Sequence, residues 1–343
     1  MTIRLLTEEY ELKNLHPRAA KSADAQRAVK EEQCSVRTAF QRDRDRIIHS
    51  KAFRRLGRKT QVFLNPDGDH YRNRLTHTLE VSQIARTICV ALKLNEDLCE
   101  AISLGHDLGH TPFGHSGEGI LAKLCSKGFH HSIQSLRVVE VVENNGKGLN
   151  LTEDVKNGIL KHSKGKGPIL TDRQSVLPST LEGQVVRLAD IIAYVNHDLE
   201  DGMRAGVIAN DELPLKIIKK LGDSHRTRIS SLVLDVINSS DIDNGGDISM
   251  SDDMHEALSL MRDFLYDSCY MKPQLRTEFE KAQRLLSDLW FYYIENPFLL
   301  NRNISEEQAV VDYLAGMTDR YAIRVWKDIN VPRSWFSDDT KTI

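Results

Sequence analysis

The stretch AISLGHDLGHTPFGHSGEG (101–119) holds His106, Asp107, His110, His115 and Glu118 within thirteen positions. Imidazoles and carboxylates this close together suit two tasks. They bind a divalent transition metal through nitrogen and oxygen, and they move protons near neutral pH. The His-Asp dipeptide by itself says little. With 13 histidines in 343 residues one is expected by chance, and a second stands at His197–Asp198. The surroundings of His106–Asp107 carry more weight. His77 begins one apolar helical stripe, His106–Asp107 end another, and Asp190 lies inside a third, between Ala189 and Ile191. A carboxylate there is costly to bury unless a cation or hydrogen bonds compensate it. His77, His106, Asp107 and Asp190 thus form a candidate set of mixed N/O ligands. The absence of cysteine from the set speaks against structural zinc, and four ligands leave positions open for water and substrate. The competing reading makes His77 a satisfied core histidine and pairs Asp190 with an arginine or a neighbouring backbone group.

The residues after the dipeptide shift that balance. Gly109 and Gly114 permit backbone angles that other residues resist, and Pro112 stiffens the turn between them. Hydrolysis assisted by a metal still needs a proton donor for its leaving group. His115 backed by Glu118 suits that role, since the carboxylate orients the ring and favours its protonated form. His131, in FHHSIQS, offers another cation nearby, whereas His130 reads as a polar loop residue. His162, in LKHS, fits an accessory phosphate contact, a ligand for a second metal, or a plain loop histidine. Asp190, Tyr194 and Asp198 are spaced i, i+4, i+8 and lie along one drifting helical strip. Metal at one end, an aromatic wall in the middle and a hydroxyl-accepting carboxylate at the far end fit a phosphorylated sugar.

The elements that must position these groups read as helices. Val81, Ile84, Ala85, Ile88, Cys89 and Leu92 share one face, and Leu98, Ala101, Ile102 and Leu104 a second. Leu181, Val185, Leu188, Ala189, Ile192, Val195 and Leu199 make a third stripe; Leu285, Leu286, Leu289 and Tyr293 make a fourth. KTQVF (59–63) is the best strand candidate, ahead of the turn-prone NPDGD. Residues 162–180 and 239–253 read as loops. The expectation is an all-α chain, 1–343, in one continuous domain, with a core over about 60–205 and a C-terminal helical extension over about 206–343. Hydrophobic content of 40% and charged content of 28% describe a soluble globular protein. Five scattered cysteines, never spaced C-x-x-C, point to reduced thiols. With no membrane-length apolar run and no secretory pattern in MTIRLLTEEY, the expected location is cytoplasmic and away from membranes. Net charge is −3, yet residues 37–74 carry eleven Lys/Arg against four Asp/Glu. That excess suits a polyphosphate, a nucleic acid or a solvated face.

Five segments resemble one family in detail: FQRDRDRIIHSKAFRRLGRKTQVF (40–63), NRLTHTLEVSQIAR (73–86), HDLGHTPFGHSGE (106–118), LEGQVVRLADIIAYVNHDLEDG (181–202) and DYLAGMTDRYA (312–322). His77…His106-Asp107…Asp190 resembles the metal pattern of HD-domain phosphohydrolases. The wider wording is similar to their deoxyguanosine triphosphate triphosphohydrolase (dGTPase) branch. The resemblance implies the HD-domain helical fold with additional C-terminal helices. It also implies hydrolysis of dGTP, or dNTPs more broadly, to deoxynucleoside and inorganic tripolyphosphate by water attack at the α-phosphorus. By the same likeness His77, His106, Asp107 and Asp190 bind metal, with Mn²⁺ or Mg²⁺ first and Fe²⁺, Co²⁺, Ni²⁺ or Zn²⁺ as alternatives. His115 and Glu118 match the catalytic His–acid pair, and His110 and His131 match histidines lying against the phosphates. Arg74 matches an α-phosphate contact, and Tyr194 and Asp198 match the residues that meet the deoxyribose. Arg55 and Leu56 stand where relatives contact sugar and base. Because Arg55 replaces a glutamine of the mammalian relatives, base preference stays open. The resemblance further implies a homo-oligomer, tetramer or hexamer, and leaves room for an allosteric nucleotide or single-stranded DNA. The rivals are another HD phosphohydrolase, such as a 5′-nucleotidase or phosphodiesterase, and a non-catalytic nucleotide sensor or nucleic-acid binder.

Overall fold

A computed structural model describes residues 1–64, 70–163, 167–171, 173–209, 211–300 and 305–333. Its architecture is helical throughout, with no strand among the described residues. Polar caps fix where the main helices start. Asn73 and Thr76 form a reciprocal capping box for Arg74–Ala91, Asn95 caps Glu96–Gly105, and Thr180 caps Leu181–Arg204. These three helices pack on one another through the stripes read from the sequence. Val81, Ile84, Ala85, Ile88, Leu98, Ile102, Val185, Leu188, Ile192 and Val195 are all buried in one core. Burying each large side chain is worth about 1.5–3 kcal/mol. Their faces are therefore held in a fixed rotation, which in turn fixes where the intervening polar residues point.

The packing divides later than residue 206. Helices His225–Ser239 and Asp252–Leu265 add Leu232, Val236, Leu258, Met261 and Leu265 to the same core. A second apolar cluster is built by Pro273–Glu295, Glu306–Ala315 and Asp319–Asn330 around the Gly114–Leu124 helix. Phe113 and Leu121 meet Leu286, Trp290, Val310 and Leu314 there. The catalytic candidates lie on the seam between the two clusters.

The strand expected at KTQVF does not form. Thr60 makes one isolated bridge to Asn73, and no neighbouring strand is present to extend it. Lys59 and Thr60 instead spend their polar groups on tertiary contacts, to the carbonyls of His110 and Ala315 and to Asp319. The described parts of 162–180 and 239–253 are mostly irregular, as expected, with a single 3₁₀ turn at Gln174–Val176. No helix is long and apolar enough to cross a membrane among the described residues.

Candidate metal and phosphate site

His77 sits in the second turn of Arg74–Ala91, His106 follows the last turn of Glu96–Gly105, and Asp190 lies midway along Leu181–Arg204. The packed helices bring these groups and Asp107 to one point. His77 Nε2 is 3.3 Å from His106 Nε2 and 3.2 Å from Asp190 Oδ1. Asp107 Oδ1 is 3.5 Å from His106 Nε2, and its Oδ2 is 3.9 Å from His77 Nε2. Each ring is oriented from behind. His106 Nδ1 donates to the Ser103 carbonyl at 2.6 Å, and His77 Nδ1 lies 2.8 Å from His197 Nε2. An imidazole whose Nδ1 carries the proton presents a lone pair on Nε2, the state a metal requires. The donor set and its second-layer hydrogen bonds fit a divalent cation.

Burial opposes ionisation of Asp107, but His106, Arg74, His110 and His77 hold its carboxyl well below the usual range. Asp190 is held low against the same burial by the hydrogen bond and charge of His77 and by His106. Arg74, 2% exposed, gives Nη1 to Asp107 Oδ2 at 2.7 Å. Its Nε and Nη2, the side edge of the guanidinium, are buried without a hydrogen-bond partner among the described residues, Nη2 lying against Gly114, and His110 Nδ1 is likewise unpaired. Buried donors normally find partners. An orphaned guanidinium edge beside a metal-type cluster is suited to an anion with two oxygens.

The second group of histidines adjoins the first. The ligand atoms of Asp107, His110 and His131 lie within 4.8 Å of one another. His131 starts the His131–Arg137 helix and stacks on His110, with ring centroids 4.4 Å apart. Glu118 serves two imidazoles. Its Oε1 is 2.9 Å from His131 Nδ1 and accepts the His131 backbone N–H, while its Oε2 is 3.3 Å from His115 Nδ1. Although burial alone would raise it, the bonds from His115 and His131 keep Glu118 far below the ordinary carboxylate value. His131 is raised by that carboxylate against its own burial, and His110 is pushed well down by burial and Arg74. His115 is the exposed member, its side chain 77% accessible.

His162 is no loop residue. It caps Glu153–Lys161 at 2% exposure, donates Nδ1–H to the Ile159 carbonyl at 2.7 Å, and sets Nε2 3.1 Å from His131 Nε2. Burial and the charges of His106 and His131 lower it to about 3. His130 caps the His131 helix, accepting from the Ser132 N–H, so it is an ordinary polar terminus.

The glycines act differently from one another. Gly114 has φ +57°, as expected of a special angle. Gly109 is needed for space: a Cβ there would lie 2.2 Å from the Ser135 nitrogen.

Along the Leu181–Arg204 helix, Tyr194 is half-buried and Asp198 is 3% exposed. Asp198 accepts a short hydrogen bond from the Tyr270 hydroxyl. Its Oδ1 lies 2.7 Å from His197 Nδ1 but off the hydrogen-bonding direction, leaving both atoms unpaired among the described residues. Leu56 is fully buried in the main core and presents no surface to a nucleotide. Arg55 stands 3.6 Å from Glu143 and faces the Gly316 turn. The basic stretch is largely neutralised by its own surroundings. Arg37 pairs with Asp45, Arg42 and Arg46 with Glu31, Arg44 with Asp97 and Glu100, and Arg72 with Glu80, Glu200 and Asp201. Arg74 is the member of that stretch paired with Asp107 at the site.

Sequence reading missed His197 and Tyr270. His197 had a signal, since it falls two turns after Asp190 on the same helix. Tyr270 lies in the π-helical turn Tyr266–Tyr270, where no periodicity marks it.

Comparison with known proteins adds the family. Residues 74–195 match the HD domain and residues 248–328 the Phosphohydrolase-associated domain. A deoxyguanosinetriphosphate triphosphohydrolase-like protein of Caldanaerobacter subterraneus subsp. tengcongensis is 53% identical over 99% of both chains. One of the same description from Desulfatibacillum aliphaticivorans is 50% identical over 97% of this chain and 99% of its own. A hypothetical protein of Aquifex aeolicus, solved as a crystal structure, aligns with 82% of this chain and 67% of its own at TM-score 0.47 and 18% identity. With identities of 53% and 50% to these two relatives along nearly the whole length, this chain belongs to the deoxyguanosinetriphosphate triphosphohydrolase-like family of HD-domain phosphohydrolases.

Proposed function

We propose that this protein hydrolyses a deoxynucleoside triphosphate to the deoxynucleoside and inorganic tripolyphosphate. The observation that carries the reading is the orphaned Nε/Nη2 edge of Arg74 beside the His77–His106–Asp107–Asp190 cluster. In this reading His77, His106, Asp107 and Asp190 hold a divalent cation, Mn²⁺ or Mg²⁺ first. Such an ion supplies Lewis acidity toward phosphate oxygens and acidifies water near them.

The chain's own residues do the rest. Arg74 takes two nonbridging oxygens of the α-phosphate on its fork and balances charge that grows there in the transition state. His110 and His131 lie against the phosphates, with the pKa of His131 raised by Glu118. The nucleoside 5′-oxygen is a poor leaving group, so His115, oriented by Glu118, delivers its proton. General acid catalysis of this kind contributes about 10²–10⁴-fold. Tyr194 walls the sugar, and Asp198 receives its 3′-hydroxyl in place of, or beside, the Tyr270 hydroxyl. The relatives' name supports dGTP as the first substrate to try.

The test is a panel of the four dNTPs and four NTPs with Mn²⁺ and with Mg²⁺, resolved by product chromatography. Tripolyphosphate together with deoxynucleoside is the expected result. Orthophosphate or pyrophosphate would transfer the chain to another HD phosphohydrolase activity. No turnover, with single-stranded DNA binding that weakens steeply with salt, would favour a nucleic-acid binder.

A further inference from the structure

The segment DYLAGMTD (312–319) has no part in the chemistry above, yet it touches both arms of the histidine set. Asp312, 3% exposed, receives Arg137 Nε and Nη2 at 2.8 and 2.9 Å and Gln134 Nε2 at 2.9 Å. Gln134 and Arg137 lie on the short helix that begins with His131. Asp319, 5% exposed, receives the Phe113 N–H and the Thr60 N–H, each at 2.9 Å, and the Thr60 hydroxyl. Between them, the Ala315 carbonyl accepts from Lys59 Nζ at 2.7 Å, and the same nitrogen donates to the His110 carbonyl.

The loop so held would not keep its shape unaided. Phe113 has φ 62°, in the left-handed region, immediately before Gly114 at φ 57°. A non-glycine residue is strained there and persists where its surroundings fix it. Here the Thr111 hydroxyl, bonded to the Gly114 carbonyl at 2.9 Å, and Ser135 Oγ, accepting from the Gly109 N–H at 2.9 Å, fix part of it from within, and the rest comes from outside the HD core. Asp319 holds the Phe113 amide, the second apolar cluster holds the Phe113 ring, and the Phe279 carbonyl accepts from Ser116 Oγ at 3.0 Å. His110, His115 and Glu118 all ride on this bend, whereas His77, His106 and Asp190 are held by the other helices.

We propose that the C-terminal helices act as a clamp, in which Asp319 and Lys59 position the His110–Glu118 loop and Asp312 positions the helix bearing His131. Their roles are positioning roles, exercised through the histidines. The catalytic consequence rests on the triphosphohydrolase reading; the loop geometry does not, so the test has two arms.

Asp319→Asn is prepared in the full chain, with Thr60→Val as a milder variant that leaves the carboxylate in place. Amide hydrogen exchange is followed by peptide, metal content by elemental analysis, and dGTP turnover by kcat and KM. In Asp319→Asn, exchange in 109–117 should rise by about 10-fold or more, with 74–91 and 181–204 unchanged. Metal content should stay at the wild-type level. A loop misplaced by about 1 Å should lower kcat by about 10- to 100-fold with KM within about threefold. Thr60→Val should give the same pattern at smaller size, and it decides the matter if Asp319→Asn does not fold. Exchange confined to wild-type rates in 109–117, or raised equally in all helices, would overturn the clamp. So would unchanged kcat in a variant whose loop has loosened. If the wild type turns over no nucleotide, the functional reading fails, and the exchange arm still decides whether the loop is held this way.

Discussion

The two halves of the candidate site are built by different means. On the metal side, His77 and Asp190 project from the interiors of helices 18 and 24 residues long, and His106 closes the Glu96–Gly105 helix. The apolar stripes of those helices fix their rotation, and each imidazole is steadied through Nδ1 by His197 or the Ser103 carbonyl. On the proton side, His110 and His115 straddle a left-handed bend, and His131 opens a seven-residue helix. Polar contacts to a separate apolar cluster hold that side. Ligands gain from a rigid scaffold because a cation tolerates little error in donor position. In the proposed reaction a proton donor must reach a leaving oxygen, and the exposed His115 is the residue proposed for it. The division teaches that metal retention and turnover should be separable by mutation.

The largest effect should come from the metal side. Asp190→Asn removes the negative charge proposed to face a divalent cation beside His77 and His106 while preserving shape. Bound divalent metal should fall below stoichiometry, and turnover should drop to background with the helical circular dichroism retained. Full metal content together with lost turnover would move Asp190 from the ligand set to the chemistry, and the two-part picture would break there.

Next in size is Glu118→Gln. Here metal should remain at the wild-type level while kcat falls by about 10²–10⁴-fold, the range of a lost general acid. Stability carries a pH signature as well. The folded value of Glu118 lies below its ordinary 4.5, so its contribution is fully present above 4.5 and is lost as pH falls through the folded value. His131 is raised above its ordinary 6.5, so its contribution is fully present below 6.5 and is lost as pH rises through the folded value. The difference in Tm between wild type and Glu118→Gln should therefore be greatest between 4.5 and 6.5 and shrink on both sides. A difference that grows steadily toward alkaline pH would mean that His131 is not the partner.

Smaller again is His197→Ala, which leaves the four ligands in place and removes the group behind His77. Loss of such a supporting contact typically weakens metal binding by about 10–100-fold. At saturating metal kcat should return to within about threefold of wild type. A kcat that stays low at saturation would give His197 a part in the proton side.

How much of this was legible in the sequence follows from the same division. The metal side was, because its residues sit on periodic helices: a polar residue in an apolar stripe declares itself, as Asp190 does between Ala189 and Ile191. His197 reads as half of a chance dipeptide, although its spacing from Asp190 places it on the same face. The proton side could be read as a list of residue types but not as a structure. Asp319 meets Thr60 across 259 positions and Phe113 across 206, and no local pattern encodes a hydrogen bond at that range. His162 was ambiguous because SKGKG follows it, and loop composition hid a buried helix terminus. KTQVF looked like a strand because alternation is a local property, while a strand needs a neighbour.

The smallest effect is expected where charge counting pointed most strongly. Residues 37–74 looked cationic enough to grip a triphosphate, but Arg42 and Arg46 share Glu31, a carboxylate upstream of the counted window. Arg44 likewise meets Asp97 and Glu100 downstream of it. Net charge within a window ignores partners outside it, so the surplus largely cancels in the folded chain. Replacing Arg42 and Arg46 by alanine should change kcat/KM for a dNTP by less than about twofold, because these partly exposed ion pairs lie away from the site and surface pairs contribute only about 0–1 kcal/mol. The same pair of substitutions should leave the salt dependence of turnover unaltered, whereas Arg74→Ala should lower kcat/KM sharply at every ionic strength. If the surface pair instead reduced turnover as much as the buried arginine does, phosphate recognition would extend over the 39–48 helix. The contrast between a shielded fork and a self-neutralised surface would then be wrong.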